Sequence, residues 1–233
     1  MVAAVTVERI SGRVVGIDAA GRHGWVGVAV DDGGYVGAEV GSLVEIIGWA
    51  EPVDAIGIDI PIGHAPEGRR LADVEARRFV GGRGSSVFPA PPAEVLGAAS
   101  YVEANASLVE LGMPKLSQQA WALVPKIREA AAVAEVDERV FEVHPEVSFC
   151  QMAEGPLEWS KKSWNGLMLR RQLLSSVDIV LPAVIPEVGG VVADDVVDAA
   201  AVAWSARRLV EGEALPFPDP PQEWGGRSVA IWR

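Results

Sequence analysis

The segment Ala-Ile-Gly-Ile-Asp-Ile-Pro-Ile-Gly (residues 55–63) constrains the fold most, because Asp59 is its only charged residue. Residues 55–60 are predicted to form a β-strand, and a strand that is apolar almost throughout is buried on both faces. Such a strand lies inside a sheet that is covered by helices. An ionised carboxylate within this run is costly without a partner, so Asp59 requires an arginine or a metal ion nearby.

Three further strands are predicted before this segment, separated by glycine-rich turns. They cover residues 13–18, 25–30 and 35–40. A short helix follows at residues 42–49, with Ser42 as its N-cap and Glu45 three residues later. A crossover of this size allows the fourth strand to pair in parallel with the first. Asp18, which closes the first strand, would then lie beside Asp59.

The remainder of the chain is predicted to be mainly helical, with one more strand of the sheet. The predicted elements are helices at 67–80, 93–110 and 117–135 (the last broken at Pro125), a non-helical loop at 82–92, a fifth strand at 139–143, helices at 160–175 and 194–211, and an edge strand at 229–232. We therefore expect one α/β domain over residues 1–233, with a mixed five-stranded sheet flanked by helices. A helical insertion at about 66–138 separates strands 4 and 5, and this element order is that of the RNase H-like fold.

Asp195 and Asp198 supply two more carboxylates near the start of the final helix. They are three residues apart and project from the same side of that helix, and the alanines that follow Asp198 permit close approach to a sheet. Each aspartate also has a simpler explanation, since Asp18 could open a turn and Asp195 could favour a helix start. Taken together with Asp59, the four carboxylates predict a site for a pair of divalent cations.

Composition restricts the metal and the partners. The single cysteine, Cys150, excludes a cysteine-based zinc site, so oxygen ligands and Mg²⁺ or Mn²⁺ are expected. The net charge of −12 disfavours a general nucleic-acid coat protein, but 13 of the 20 Lys and Arg residues lie in residues 61–171. Neither a signal peptide nor a run of about 18–20 apolar residues is evident. We expect a cytoplasmic protein without a membrane segment.

Polar residues of the middle segment are candidates for contact with a phosphate-bearing substrate. They are Arg70, Arg77, Lys115, Gln119, Lys162 and Arg170. For the two arginines of the first insertion helix, an ordinary salt-bridged surface is an equally good interpretation. Glu142, at the end of the fifth strand, either completes the metal site or pairs with an arginine. Trp25 and Trp121 are the candidates for base stacking.

Several motifs resemble known families. Asp195-Val-Val-Asp198-Ala is similar to the final catalytic helix of RuvC-type Holliday-junction resolvases, Asp18 matches their first-strand aspartate, and Asp59 stands where they carry a glutamate. From about residue 14 to 208 the chain resembles domain-of-unknown-function family 429, which groups predicted nucleases of RNase H-like fold. The segments that carry this resemblance are Gly-Ile-Asp-Ala-Ala (16–20), Ile-Asp-Ile-Pro-Ile-Gly (58–63), Ser-Ser-Val-Phe-Pro-Ala-Pro (85–91), Lys-Leu-Ser-Gln-Gln (115–119), Glu-Val-His-Pro-Glu (142–146) and the final helix.

The expected function is metal-dependent hydrolysis of phosphodiester bonds in nucleic acid by two metal ions, with Asp18, Asp59, Asp195, Asp198 and Glu142 as the catalytic residues. Resemblance to the resolvases further implies a homodimer. Two alternatives stay open. One is an inactive domain that binds nucleic acid or protein. The other is an actin-like phosphotransferase, since Gly-Ile-Asp-Ala-Ala-Gly before a strand is similar to a phosphate-binding hairpin.

Overall fold

The computed structural model describes residues 12–64 and 70–233, and it is built around a five-stranded sheet of order β3-β2-β1-β4-β5. The strands are β1 (Val14–Ala19), β2 (Trp25–Asp31), β3 (Gly34–Gly41), β4 (Ala55–Ile58) and β5 (Val140–Glu142). Strand β1 pairs antiparallel with β2 and parallel with β4, and β4 pairs parallel with β5. This confirms the predicted mixed sheet, and the α/β fold is consistent with the RNase H-like order.

Helix α1 (Leu43–Ala50) joins the antiparallel strands to β4, and its first turn is capped as predicted. The Ser42 hydroxyl accepts a hydrogen bond from the Glu45 amide at 3.3 Å, and the Glu45 carboxylate accepts one from the Ser42 amide at 2.9 Å. This reciprocal capping satisfies two amides that have no partner inside the helix. The chain then returns to the middle of the sheet, where β4 lies against β1.

Two hydrophobic clusters cover the two faces of the sheet. Helices α1 and α5 (Gln118–Val136) pack on one face, and helix α8 (Ala193–Glu211) packs on the other. Glycines in the strands allow α8 to approach at backbone distance. A Cβ atom on Gly16 would lie 2.0 Å from the Ala203 nitrogen and 2.2 Å from the Ala199 oxygen. The position of Asp198 relative to β1 is therefore set by backbone contact.

The insertion between β4 and β5 is helical, as expected, with differences in detail. Its α-helices are α2 (Leu71–Phe79), α3 (Ala93–Leu96), α4 (Tyr101–Glu110) and α5. The predicted residues 67–69 of the first helix lie outside the described part of the chain. The expectation of a non-helical loop at 82–92 is wrong in part, because Gly81–Ser86 forms a 3₁₀ helix. Helix α5 continues through Pro125, and Val124 and Ile127 on either side of the proline are buried.

Two elements after β5 differ from the sequence expectation. Helix α6 (Pro145–Met152) was not predicted, because a proline in the first helical position was interpreted as a turn. The predicted edge strand is half of a hairpin formed by β6 (Pro216–Trp224) and β7 (Arg227–Trp232). Helix α7 (Trp164–Ser176) then precedes the long connection to α8. Among the helices that the structure describes, none is long and apolar enough to cross a membrane.

Candidate metal and phosphate site

Three of the four predicted aspartates meet where β1 and β4 end. Asp18 is the fifth residue of β1, and Asp59 directly follows β4, where its amide donates to the Ile17 oxygen at 2.8 Å. Helix α8 adds Asp198, which is 1% exposed. Asp195, one turn earlier in α8, is half-buried beside this group, close enough to act electrostatically on Asp59 and Asp18. Asp18, Asp59 and Asp198 are called the carboxylate cluster below.

Burial raises the pKa values throughout the carboxylate cluster, and repulsion between carboxylates raises those of Asp18 and Asp198 further. Burial raises the pKa of Asp18 well above its usual value, and the charges of Asp59 and Asp198 raise it further. Burial also raises the pKa of Asp59. Burial raises the pKa of Asp198 to about 6. The cluster therefore needs protons or cations to stay together.

Lys161 is a cation in direct contact with the cluster, and it was not among the residues predicted from the sequence. Its ammonium group contacts the Asp198 carboxylate directly and lies 3.9 Å from Asp194 Oδ2. Burial lowers the pKa of Lys161, but Asp198 outweighs burial and the pKa is raised. The neighbouring Lys162 is 75% exposed and lies 3.6 Å from Asp194 Oδ2. The missed signal was a pair of lysines directly before the N-cap of α7, Ser163.

A cavity of about 220 Å³ leads to the carboxylate cluster. Its other walls come from the loop at residues 86–91, from α5 and from the turn after β5. Three contacts hold that loop. The Ala90 amide donates to Asp73 at 2.8 Å, Arg77 donates to the Val87 oxygen at 2.8 Å, and His144 Nε2 lies 3.2 Å from the Ser86 oxygen. The insertion thus builds the cavity wall that faces the acidic groups.

Glu142 reaches the cavity wall, but its carboxylate already has partners. It accepts hydrogen bonds from the Ile62 amide at 2.6 Å and from Arg70, which also pairs with Asp73 at 3.0 Å. Burial raises the pKa of Glu142 to about 7, although Arg70 lowers it. Of the two interpretations of Glu142, the structure therefore agrees with the one in which it pairs with an arginine. Arg70 is 5% exposed within this ion pair, so the prediction that Arg70 contacts phosphate is replaced by a structural role.

Arg170 is also corrected from a phosphate-binding to a structural role. It is 1% exposed and donates to both Glu146 oxygens at 3.0 and 2.7 Å. Of the remaining candidates, Arg77 is exposed although it holds the Val87 oxygen, and three more are exposed without such a role: Lys115, Gln119 and Lys162. Trp25 is 1% exposed, so base stacking on its ring is excluded. The proposed stacking role of Trp121, which is half-buried, stays a prediction.

The donor chemistry of the carboxylate cluster fits a hard divalent cation. All three side chains offer oxygen, the ligand that Mg²⁺ and Mn²⁺ prefer. Within residues 12–64 and 70–233, however, no three His, Cys, Asp or Glu side chains are already arranged to hold a metal ion. Lys161 supplies one positive charge against three carboxyl groups. Binding of a cation at Asp198 would therefore require movement of Lys161, which contacts that carboxylate.

The chain was compared with family models, with curated proteins and with solved structures. One family model, described as "Protein of unknown function (DUF429)", matches residues 16–223. Neither the curated proteins nor the solved structures include a significant match. The matched range contains the five strands except the first two residues of β1, together with the insertion and all residues of the carboxylate cluster. The chain belongs to the DUF429 family.

Proposed function

We propose that this protein is a divalent-cation-dependent nuclease that hydrolyses phosphodiester bonds at the carboxylate cluster. One observation carries the proposal. Asp18, Asp59 and Asp198 come from three neighbouring elements and are held together although burial raises the pKa of each, and Lys161 contacts Asp198. Keeping such a group has a stability cost, and such costs are concentrated at functional sites. A site for structure alone would pair each carboxylate, as Arg70 and Arg170 do elsewhere in this chain.

In the proposed reaction, Asp18, Asp59 and Asp198 would hold Mg²⁺ or Mn²⁺, and Asp195 at the edge would be a further ligand. Bound ions of this kind activate a water molecule and stabilise the leaving oxygen of the phosphodiester. The protein contributes position and charge. Lys161, once its contact with Asp198 is released, would be available to neutralise a phosphate oxygen.

His144 positions the cavity wall in this scheme and has no free nitrogen for proton transfer. Its Nδ1 accepts a hydrogen bond from the Glu146 amide at 3.2 Å, which places the proton on Nε2, beside the Ser86 oxygen. Both ring nitrogens are thus engaged within the protein. The cavity is partly apolar, with Phe88, Pro89 and Leu123 in its walls.

The proposal is tested by substitution of the cluster and by a matched change elsewhere on the same helix. Asp18→Asn and Asp198→Asn are expected to abolish Mn²⁺ binding in calorimetry and Mn²⁺-dependent cleavage of DNA, RNA and hybrid substrates. Glu211→Gln removes one charge from the exposed far end of α8 and should leave both properties unchanged.

The contrary result is equally definite. Wild-type protein that binds neither Mg²⁺ nor Mn²⁺ and cuts no substrate of the panel would refute the proposal and favour an interaction domain. ATP turnover by the wild-type protein, lost in Asp18→Asn, would instead favour a phosphotransferase.

A further inference from the structure

An exposed aromatic and basic segment lies directly beside the carboxylate cluster. Its sequence is Trp159-Ser-Lys-Lys-Ser-Trp164, and it is called the Trp–Lys segment below. Trp164 is 74% exposed and Trp159 is 40% exposed, while Lys162 between them is 75% exposed. Lys161, the remaining lysine, reaches from this segment into the carboxylate cluster. Lys161 therefore connects this segment to the proposed site.

The backbone at the start of the Trp–Lys segment is held in place by hydrogen bonds from two arginines. Arg170, itself 1% exposed, donates to the Trp159 oxygen at 3.1 Å, and Arg83 donates to the Glu158 oxygen at 2.5 Å. Gly166 packs so closely that a Cβ atom there would lie 1.9 Å from the Ser160 oxygen. These contacts fix the backbone of the segment, while both indole rings are partly or largely exposed to solvent. Large exposed aromatic side chains on a fixed backbone are typical of binding surfaces.

Charge and cavity size decide what such a surface can bind. A protein of net charge −12 has little capacity for the many phosphate contacts on which duplex binding depends. Stacking on aromatic rings supports binding of unpaired bases with few charges, because every base has a π-face. The cavity of about 220 Å³ is smaller than the roughly 300–1,000 Å³ that enclose a drug-sized ligand. It can accept the phosphate and its immediate neighbours, while the rest of a substrate must lie outside.

We propose that the Trp–Lys segment binds single-stranded nucleic acid, with bases stacked on Trp159 and Trp164 and a phosphate at Lys162. The strand would pass from this segment to the carboxylate cluster, where Lys161 lies. This inference rests on the proposed nuclease function, and it restricts the substrate of that nuclease to single-stranded nucleic acid. Binding to the segment itself requires no metal and can be measured without cleavage.

The test measures binding of fluorescein-labelled oligonucleotides by anisotropy in EDTA, with single strands and the matching duplex. Trp164→Ala and Trp159→Ala are each expected to weaken single-strand binding about tenfold, because each variant loses the ring on which one base stacks. Trp164→Phe keeps an aromatic ring and should restore most of the affinity. Trp49→Ala is the matched control, because Trp49 is 36% exposed and packs over Gly37 on the outer strand β3.

Three results would each overturn the inference. They are unchanged binding in both alanine variants, an equal loss in Trp49→Ala, or a duplex that binds as tightly as the single strand. Mn²⁺ titration and cleavage, measured separately, distinguish the two proposals. Trp164-dependent binding without any metal-dependent cleavage would leave this inference standing and refute the nuclease. Metal-dependent cleavage that is unaffected by Trp159→Ala and Trp164→Ala would support the nuclease and refute this inference.

Discussion

Replacing Lys161 with methionine removes the cation of the carboxylate cluster while keeping a side chain of similar length. Lys161 Nζ lies 3.9 Å from Asp194 Oδ2 and closer still to Asp198. At this distance opposite unit charges attract by about 4 kcal/mol when the effective dielectric constant is about 20. The Lys161 side chain is 34% exposed, so hydration reduces this to about 2 kcal/mol. A metal ion that must displace Lys161 should therefore bind about 30-fold more tightly to Lys161→Met.

Calorimetric titration with Mn²⁺ at about pH 8 measures this gain, and urea denaturation without metal measures the accompanying loss of stability. The buried Asp198 loses its closest cation, so unfolding should become easier by about 2–3 kcal/mol in the absence of Mn²⁺. At about pH 5 both effects should shrink, because the pKa of Asp198 is about 6 and a protonated carboxyl group needs no counter-ion. Lower pH favours protonated Asp198, which cannot bind a cation, so the affinity for Mn²⁺ must decrease as the pH is lowered.

Lys162→Met is the matched control for this prediction. Lys162 is 75% exposed and 3.6 Å from Asp194 Oδ2, so loss of its charge should change Mn²⁺ affinity by no more than about twofold. Equal Mn²⁺ affinity in wild-type protein and Lys161→Met would show that Lys161 and the metal do not compete. Weaker affinity in Lys161→Met would refute the reasoning outright, because the sign of the electrostatic effect would be wrong.

Two further predictions concern stability. The folded-state pKa of Glu142 is raised from 4.5 to about 7. Protonation of Glu142 therefore adds about 3 kcal/mol to the free energy of unfolding below about pH 4.5, and this stabilisation is lost as the pH rises through 7. In Glu142→Gln this part of the pH dependence, followed by urea denaturation, should disappear. Gly16→Ala would drive a Cβ atom to 2.0 Å from the Ala203 nitrogen and should destabilise the protein by about 3 kcal/mol or more. Gly48→Ala, in α1 with nothing within 4 Å, should raise the midpoint of thermal unfolding slightly, whereas an unchanged midpoint in Gly16→Ala would contradict the close packing of α8.

The sheet and the carboxylate cluster could be predicted because their determinants are local in sequence. Asp18 and Asp59 each close an apolar strand, and parallel pairing of two such strands brings their ends together. Asp198 was recognisable because it precedes a run of alanines that can approach a sheet closely. These features depend on periodicity and residue size, which the sequence states directly.

The partners of the charged residues could not be predicted, because they depend on contacts between distant segments. Arg70 and Glu142 are 72 residues apart, and Lys161 and Asp198 are 37 apart. The local sequence does not distinguish an arginine that binds phosphate from one that pairs with a buried glutamate. For this reason the roles predicted for Arg70 and Arg170 were wrong. Lys161 was missed while its exposed neighbour Lys162 was chosen. Spacing indicates which side chains share a helix face, and it does not indicate what lies opposite.

The contact between α8 and the sheet has a consequence for how the protein can move. Glycine and alanine have no side-chain rotamers, so the contact of Gly16 with Ala199 and Ala203 orders no χ angle and loses no side-chain entropy on folding. It also offers no alternative packing into which helix and sheet could switch. The contact between β1 and α8 therefore fixes Asp18 and Asp198 relative to each other. Any opening that admits a substrate must come from the surrounding segments, such as the loop at 86–91 or the Trp–Lys segment. Hydrogen exchange should be slowest in β1 and α8.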